Sequence, residues 1–313
     1  MAVASLALVA ACQGGESAME RADGEPGPEQ PPSTPAGSVS SQDGGVQPPQ
    51  KSPLSAYMLQ GSELFTVQAA EDLLAGDCLK RFGFEPVERS LDLDAVMAEQ
   101  RMADTRLYGI TDSSEAARHG YQPASLADPA DDSPSTSPSY DFVFSGDPNG
   151  GVAVPENGAE LTSPGEFGGL EIPAGGCLGE AREKLWGTAS ARVKDDFAQG
   201  LRITAYEKSM ADPRVQSLFA EWSECLGRRG FNYATPLDPE FGRDAGAPAS
   251  EAEIATAVAD IACKEKTSLV SRWNKVDVAY QRQAIEDNQL QLTEDRETIR
   301  AGLQRATKVL DGG

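Results

Sequence analysis

The pattern Cys-Leu-x-x-x-Gly-Phe occurs twice in this chain, as GDCLKRFGFEP around Cys78 and as SECLGRRGFNY around Cys225. Each copy is followed by one further cysteine, Cys177 and Cys263 respectively. With Cys12 set aside, four cysteines remain, an even number, as two disulfides in an oxidising compartment require. Covalent links between distant segments limit the accessible folds more severely than local propensity does. Four cysteines allow three pairings. Each copy sets one cysteine at a helix end and a later one on a helix. An internal duplication is therefore the economical reading: two repeated helical units, joined internally as Cys78–Cys177 and Cys225–Cys263. Buried free thiols are the plain alternative. Zinc is a weak rival, because the four lie far apart and form no C-x-x-C knuckle.

The rest of the pattern is helical. Leu64, Val67, Leu74, Cys78 and Phe82 share one face, with Lys80, Arg81 and Gly83 suited to a C-terminal stop. Asp112 and Glu115 have capping-box spacing, and Gly120 ends the short helix they open. Tyr108-Gly109 and Gly120-Tyr121 bracket it. A helix over 192–210 is predicted with Val193, Phe197, Leu201 and Ala205 in its stripe. Asp212-Pro213 restarts the chain, and Val215, Leu218, Phe219, Trp222 and Leu226 follow at helical spacing. From Ser250 onward one long helical region is predicted, with Ile254, Val258, Ile261, Leu269, Trp273, Val276 and Tyr280 as its stripe. Past Asn288, Leu292, Ile299, Leu303 and Leu310 form a narrow seam suited to a coiled coil or an exposed extension. No run alternates as strands do. The expected fold is mostly α, a disulfide-linked helical bundle.

The N-terminus reads MAVASLALVAACQGG. Ala2–Ala11 is too short an apolar run to span a bilayer, and small residues end it directly before Cys12. Val-Ala-Ala-Cys looks like a bacterial lipobox, with Cys12 as the residue that takes the lipid, palmitate included. No Lys or Arg precedes the apolar run, a departure from the usual signal. The expected organisation is a signal peptide at 1–11 and a lipid-anchored disordered linker at 12–52. A helical region at 53–245 follows, carrying a disordered loop at 125–170, and a long C-terminal helical or coiled-coil region at 246–313. Gly, Pro, Ser, Gln and Glu dominate the linker, and Ser, Pro, Asp and Gly the loop, so neither has enough to bury to offset the entropy of ordering. Tyr140–Phe144 is an apolar island in the loop, expected to dock on the folded part.

Formal net charge is −22. Such a surface repels nucleic acid and anionic membrane and attracts cations or basic partners. The sole histidine, His119, has no triad partners near it, and no G-x-S-x-G, P-loop or H-E-x-x-H is present. ADPADDSPSTSPS lacks the order of a calcium loop. No cofactor is implied. Trp186, Trp222 and Trp273 are candidates to line a ligand cleft, but Trp222 and Trp273 fit their helices' apolar stripes and core packing is the favoured reading. The candidate ligand cleft is placed at the two Gly-Phe turns, lined by Phe84, Phe231 and Tyr233 with Arg228 and Arg229 as a basic rim.

WSECLGRRGFNYATP, EIATAVADIACKEKTSLVSRWNKVDVAYQ, GGCLGEAREKL and RLYGITDSSEAARHGYQP together resemble segments of actinobacterial secreted lipoproteins. The resemblance covers most of 63–310 apart from the middle loop. It implies a lipid-anchored protein of the cell envelope and carries no activity with it. The expected function is non-catalytic binding of a protein, a wall polymer or a small ligand outside the membrane. The alternative is an envelope hydrolase using paired carboxylates.

Overall fold

Helix ends are set by short-range chemistry, and the two Cys-Leu repeats show how. In the computed structural model of the chain, α1 (Gly61–Arg81) and α7 (Pro213–Gly227) each end just beyond their cysteine. Gly83 and Gly230 then adopt φ of 81° and 92°. Phe84 N–H donates to Leu79 C=O (3.2 Å) and Phe231 N–H to Leu226 C=O (3.3 Å). The same reversal thus closes both helices, with glycine at the left-handed position and a phenylalanine folded back on the helix. The residues described are 46–87, 92–122, 136–149, 160–189, 196–239, 241 and 247–312. The signal segment, Cys12, most of the linker and parts of the middle loop lie outside them.

Ten α-helices are present among the described residues. After a 3₁₀ turn at Pro53–Tyr57 and α1 come α2 (Leu93–Arg106), α3 (Ser113–His119) and α4 (Pro138–Ser145). A minimal hairpin, β1 (Glu166–Phe167) and β2 (Leu170–Glu171), precedes α5 (Gly176–Trp186) and α6 (Asp196–Ala211). The chain ends with α7, α8 (Glu251–Thr267), α9 (Leu269–Asp287) and α10 (Gln289–Leu310). The predicted caps form: Asp112 accepts from Ser114 and Glu115 N–H, Asp212 from Arg214 N–H, and Ser250 from Glu253 N–H.

Both disulfides join as the duplication predicts. Cys78–Cys177 ties the end of α1 to the first turn of α5, with Cα atoms 5.4 Å apart. Cys225–Cys263 ties α7 to the body of α8 at 5.7 Å. Each lies inside an apolar cluster. The first shares its cluster with Leu79, Val143, Ile172 and Ala181, the second with Tyr108, Leu218, Phe219, Trp222 and Trp273. The repeat is local, covering a helix end, a half-cystine and a turn. The partner cysteines occupy different positions on their helices, and the halves interleave, since α10 packs on α1 and α5. All described residues belong to one compact unit, and α8–α10 are part of it.

Four expectations are corrected. Residues 138–145, expected within a disordered loop, form α4, capped by Ser137 with Pro138 in its first turn, and Tyr140 and Val143 are buried against α5. The apolar island is enough to fold this stretch. The C-terminal region is three helices rather than one, broken at Ser268 (φ 51°) and Asn288. Phe197 of α6 and Val258 of α8 are exposed, and α6 turns its small residues Ala198, Ala205 and Ser209 inward instead. That leaves room for Trp273, whose Nε1–H donates to Ser209 Oγ (2.8 Å). Finally, the seam on α10 is covered by this chain's own elements at Leu292, Ile299 and Leu303, while Leu310 stays exposed. Ile299 and Leu303 pack with Leu185, Trp186 and Val67, and Leu292 with Leu54 and Ala198.

Candidate functional site

α9 runs through the interior, so most of its faces are buried. Leu269, Trp273 and Val276 are the expected apolar contribution, and Val278 is buried with them. Asn274, Asp277 and Gln281 are not. They recur at i, i+3 and i+7, which puts them on one face. All three are buried, Asp277 completely.

The segment before the first turn crosses this face as a strap. Gln50 N–H donates to Asn274 Oδ1 (2.8 Å), and Asn274 Nδ2 donates back to Gln50 C=O (3.3 Å). Ser52 Oγ donates to Gln281 Oε1 (2.5 Å). One amide therefore reads both backbone groups of a single strap residue, and a second holds the strap two residues further on. Asp277 lies between these anchors. Its Oδ2 accepts from Tyr108 Oη (2.5 Å) and Gln281 Nε2 (3.1 Å), while Tyr108 Oη accepts from Asn274 Nδ2 (3.1 Å). Strap, Asn274, Tyr108, Asp277 and Gln281 close a ring of hydrogen bonds. Buried polar groups are normally satisfied in this way. Within this ring Asp277 Oδ1 has no hydrogen-bond donor among the described residues.

This ring forms the inner wall of a cleft of 410 Å³. Its other walls are the strap (Pro48–Ser52), the start of α1 (Gln60–Ser62), α2 at Met97, Gln100, Arg101 and Asp104, and Arg202 of α6. Gln100 closes the corner between α1 and α2 by accepting from Gly61 N–H (2.6 Å) and donating to Gln60 Oε1 (3.2 Å). Arg202 pairs with Asp104 at 3.5 Å. The cleft thus holds two carboxylates, Asp104 and Asp277, and three cationic side chains, Lys51, Arg101 and Arg202.

Burial raises the Asp277 carboxyl above the ordinary carboxylate range, opposed by the hydrogen bonds from Tyr108 and Gln281 and by the charge on Arg202. Burial and the adjacent Asp277 likewise raise the Tyr108 phenol, which stays a neutral donor. A desolvated carboxylate with one free oxygen is expensive to keep and is a recurrent feature of functional sites.

The residues expected to form a cleft at the Gly-Phe turns are not brought together. Phe84 packs on Tyr140 and Phe167, in the cluster around Cys78. Phe231 and Tyr233 pack in the other cluster, around Trp222 and Trp273. Arg228 bridges to Glu224 on the surface, and Arg229 is exposed. None of the five lines the cleft. Their repeated pattern encodes a helix stop, which has the same signature as a built turn near a ligand. The signal for the real cleft was the polar stripe Asn274–Asp277–Gln281 alongside Trp273, Val276 and Tyr280, in a helix apolar enough to be buried. Cys78, Cys177, Cys225 and Cys263 are all in disulfides, and no group of three or more His, Cys, Asp or Glu among the described residues is arranged to hold a metal ion. Comparison with protein-family models, with curated proteins and with solved structures found no match.

Proposed function

We propose that this is a non-catalytic binding protein of the cell envelope, anchored through Cys12, that takes a small polar ligand in the cleft over Asp277. One observation carries the binding reading. A fully buried carboxylate on the cleft wall keeps one oxygen without a hydrogen-bond donor among the described residues, an acceptor that a ligand's donor would satisfy. The two disulfides support an oxidising compartment. The apolar start ending in Val-Ala-Ala-Cys supports the anchor. Among the described residues no helix is long and apolar enough to cross a membrane.

The hydrolase alternative has one feature in its favour, since Asp104 and Asp277 line the same cleft. Against it, Asp104 is paired with Arg202 and Asp277 sits in the hydrogen-bonded wall.

The test uses full-length protein incubated with a low-molecular-weight extract of cells, freed of unbound material and assayed by mass spectrometry. A compound retained by the native protein and lost from Asp277→Asn is expected. Equal retention by both proteins sinks the binding reading, and recovery of the compound in cleaved form favours the hydrolase.

A further inference from the structure

The cleft is lined by charges of both signs carried on different elements, and this restricts what can bind there. Asp277 is sealed into the inner wall, while Lys51, Arg101 and Arg202 come from the strap, α2 and α6 around it. A simple amine drawn to Asp277 would have three cationic side chains about it. A simple anion drawn to those side chains would face Asp277 and Asp104. Only a molecule with both charges, held a few bonds apart, meets a complementary group at each end. At 410 Å³ the cleft is near the lower end of the range for small-molecule sites, about 300–1,000 Å³, so the molecule is small.

We infer that the ligand is a small zwitterion, an α-amino acid or a dipeptide, with its ammonium group on Asp277 Oδ1 and its carboxylate among Arg202, Arg101 and Lys51. This rests on the binding reading above and names its ligand class. An ammonium group is a compact donor of three hydrogen bonds, suited to an oxygen that lacks any. It also supplies the positive charge that a desolvated carboxylate lacks in the hydrogen-bonded ring, where Tyr108 and Gln281 are neutral. Arg202, whose charge already acts on Asp277, also pairs with Asp104, so an incoming carboxylate adds a second acceptor to its guanidinium. Asp277 has no exposed surface, so the ligand reaches it as the strap lifts from Asn274 and Gln281.

The experiment is calorimetric titration of the full-length protein with a fixed panel. The panel holds the common α-amino acids and simple dipeptides, the matching amines without a carboxylate, the matching acids without an amine, and neutral sugars. At least one zwitterion should bind, with its amine and acid counterparts at least tenfold weaker. Asp277→Asn should weaken that zwitterion at least a hundredfold while its helical circular dichroism and melting remain those of a folded protein. Lys51→Gln combined with Arg101→Gln should weaken the zwitterion and leave the bare amine no weaker, since the cations that repel it are fewer. An amine or acid binding as tightly as the zwitterion overturns the inference, as does a zwitterion indifferent to Asp277→Asn. If a neutral sugar binds and Asp277→Asn abolishes it, the binding reading survives and the zwitterion is wrong. If no member of the panel binds, the zwitterion inference fails, and the extract experiment decides the binding reading by itself.

Discussion

Lys264 places a charge where no water reaches it. Its side chain is fully buried, with Nζ donating to Asp260 Oδ2 (2.9 Å) and to Ile110 C=O (3.0 Å). Burial pushes the lysine down and the aspartate up, and each resists through the other's charge; Trp222 Nε1–H adds a further bond to Asp260 at 2.8 Å. The pair itself contributes little net stability, whereas breaking it strands a buried charge. Lys264→Met should therefore cost about 3–5 kcal/mol in urea denaturation, while Asp260→Leu added to Lys264→Met should recover part of that loss. A single substitution costing under about 1 kcal/mol would show that the pair is solvated or neutral. In the sequence, nothing in CKEKT sets Lys264 apart from Lys266 beside it. The clue was Gly109 in the Tyr-Gly pair, since a Cβ there would lie 2.6 Å from Lys264 Nζ. A glycine that clears room for a side chain 155 positions away leaves no local trace of why it is there.

At the scale of elements, what was legible depended on whether the determinant is local. Caps and the two glycine reversals involve residues within a turn of one another, and they formed as read. The α10 seam was equally visible as a stripe, but a stripe does not say what covers it. The covering surface is Leu185 and Trp186 of α5 with Val67 of α1, brought there by chain more than a hundred residues away. The closest approach is Gly302 of α10 under the Trp186 indole, where a Cβ would overlap the ring. Arg305 fixes the same contact by donating to Leu185 C=O (2.6 Å). Gly302→Ala gains helix propensity but forces the indole or α10 to move, for a net loss of about 1–3 kcal/mol and a shift in tryptophan emission. Gly200, mid-helix in α6 with open space where a Cβ would stand, is the control: Gly200→Ala should gain about 0.5–1 kcal/mol. The same exchange with opposite signs separates packing from propensity. Two values of the same sign would deny that α10 docks through Gly302.

At the scale of the molecule, the cleft draws on the strap, α1, α2, the turn at Leu107-Tyr108, α6 and α9, so no continuous stretch announces it. The cysteine repeat gave the helix ends and the pairing because a disulfide writes its long-range contact into residue identity. Hydrogen bonds do not, and Gln50, Tyr108 and Asp277 could each have been surface residues. The strap shows this most plainly. VQPPQKS has the composition of a tether, and its backbone is nonetheless held by Asn274 and its Ser52 by Gln281. Val46 packs against the clusters around Trp222 and Ile261 as well. The folded unit therefore includes the strap, which makes a prediction about where the chain can be cut. A chain starting at Val46 should unfold at the same urea concentration as the full-length protein, because it keeps every contact described. A chain starting at Pro53 loses the three hydrogen bonds to Asn274 and Gln281 and the two that Ser55 N–H and Oγ donate to Ser52 C=O, and it leaves the Asn274 and Gln281 amides to find new partners. With about 1–3 kcal/mol for each buried group left unmade, and water relieving part of it, the cost should be about 2–4 kcal/mol. Equal stability of the two truncations would mean that the strap rests on the cleft without closing it, and Asp277 would then stand open to solvent.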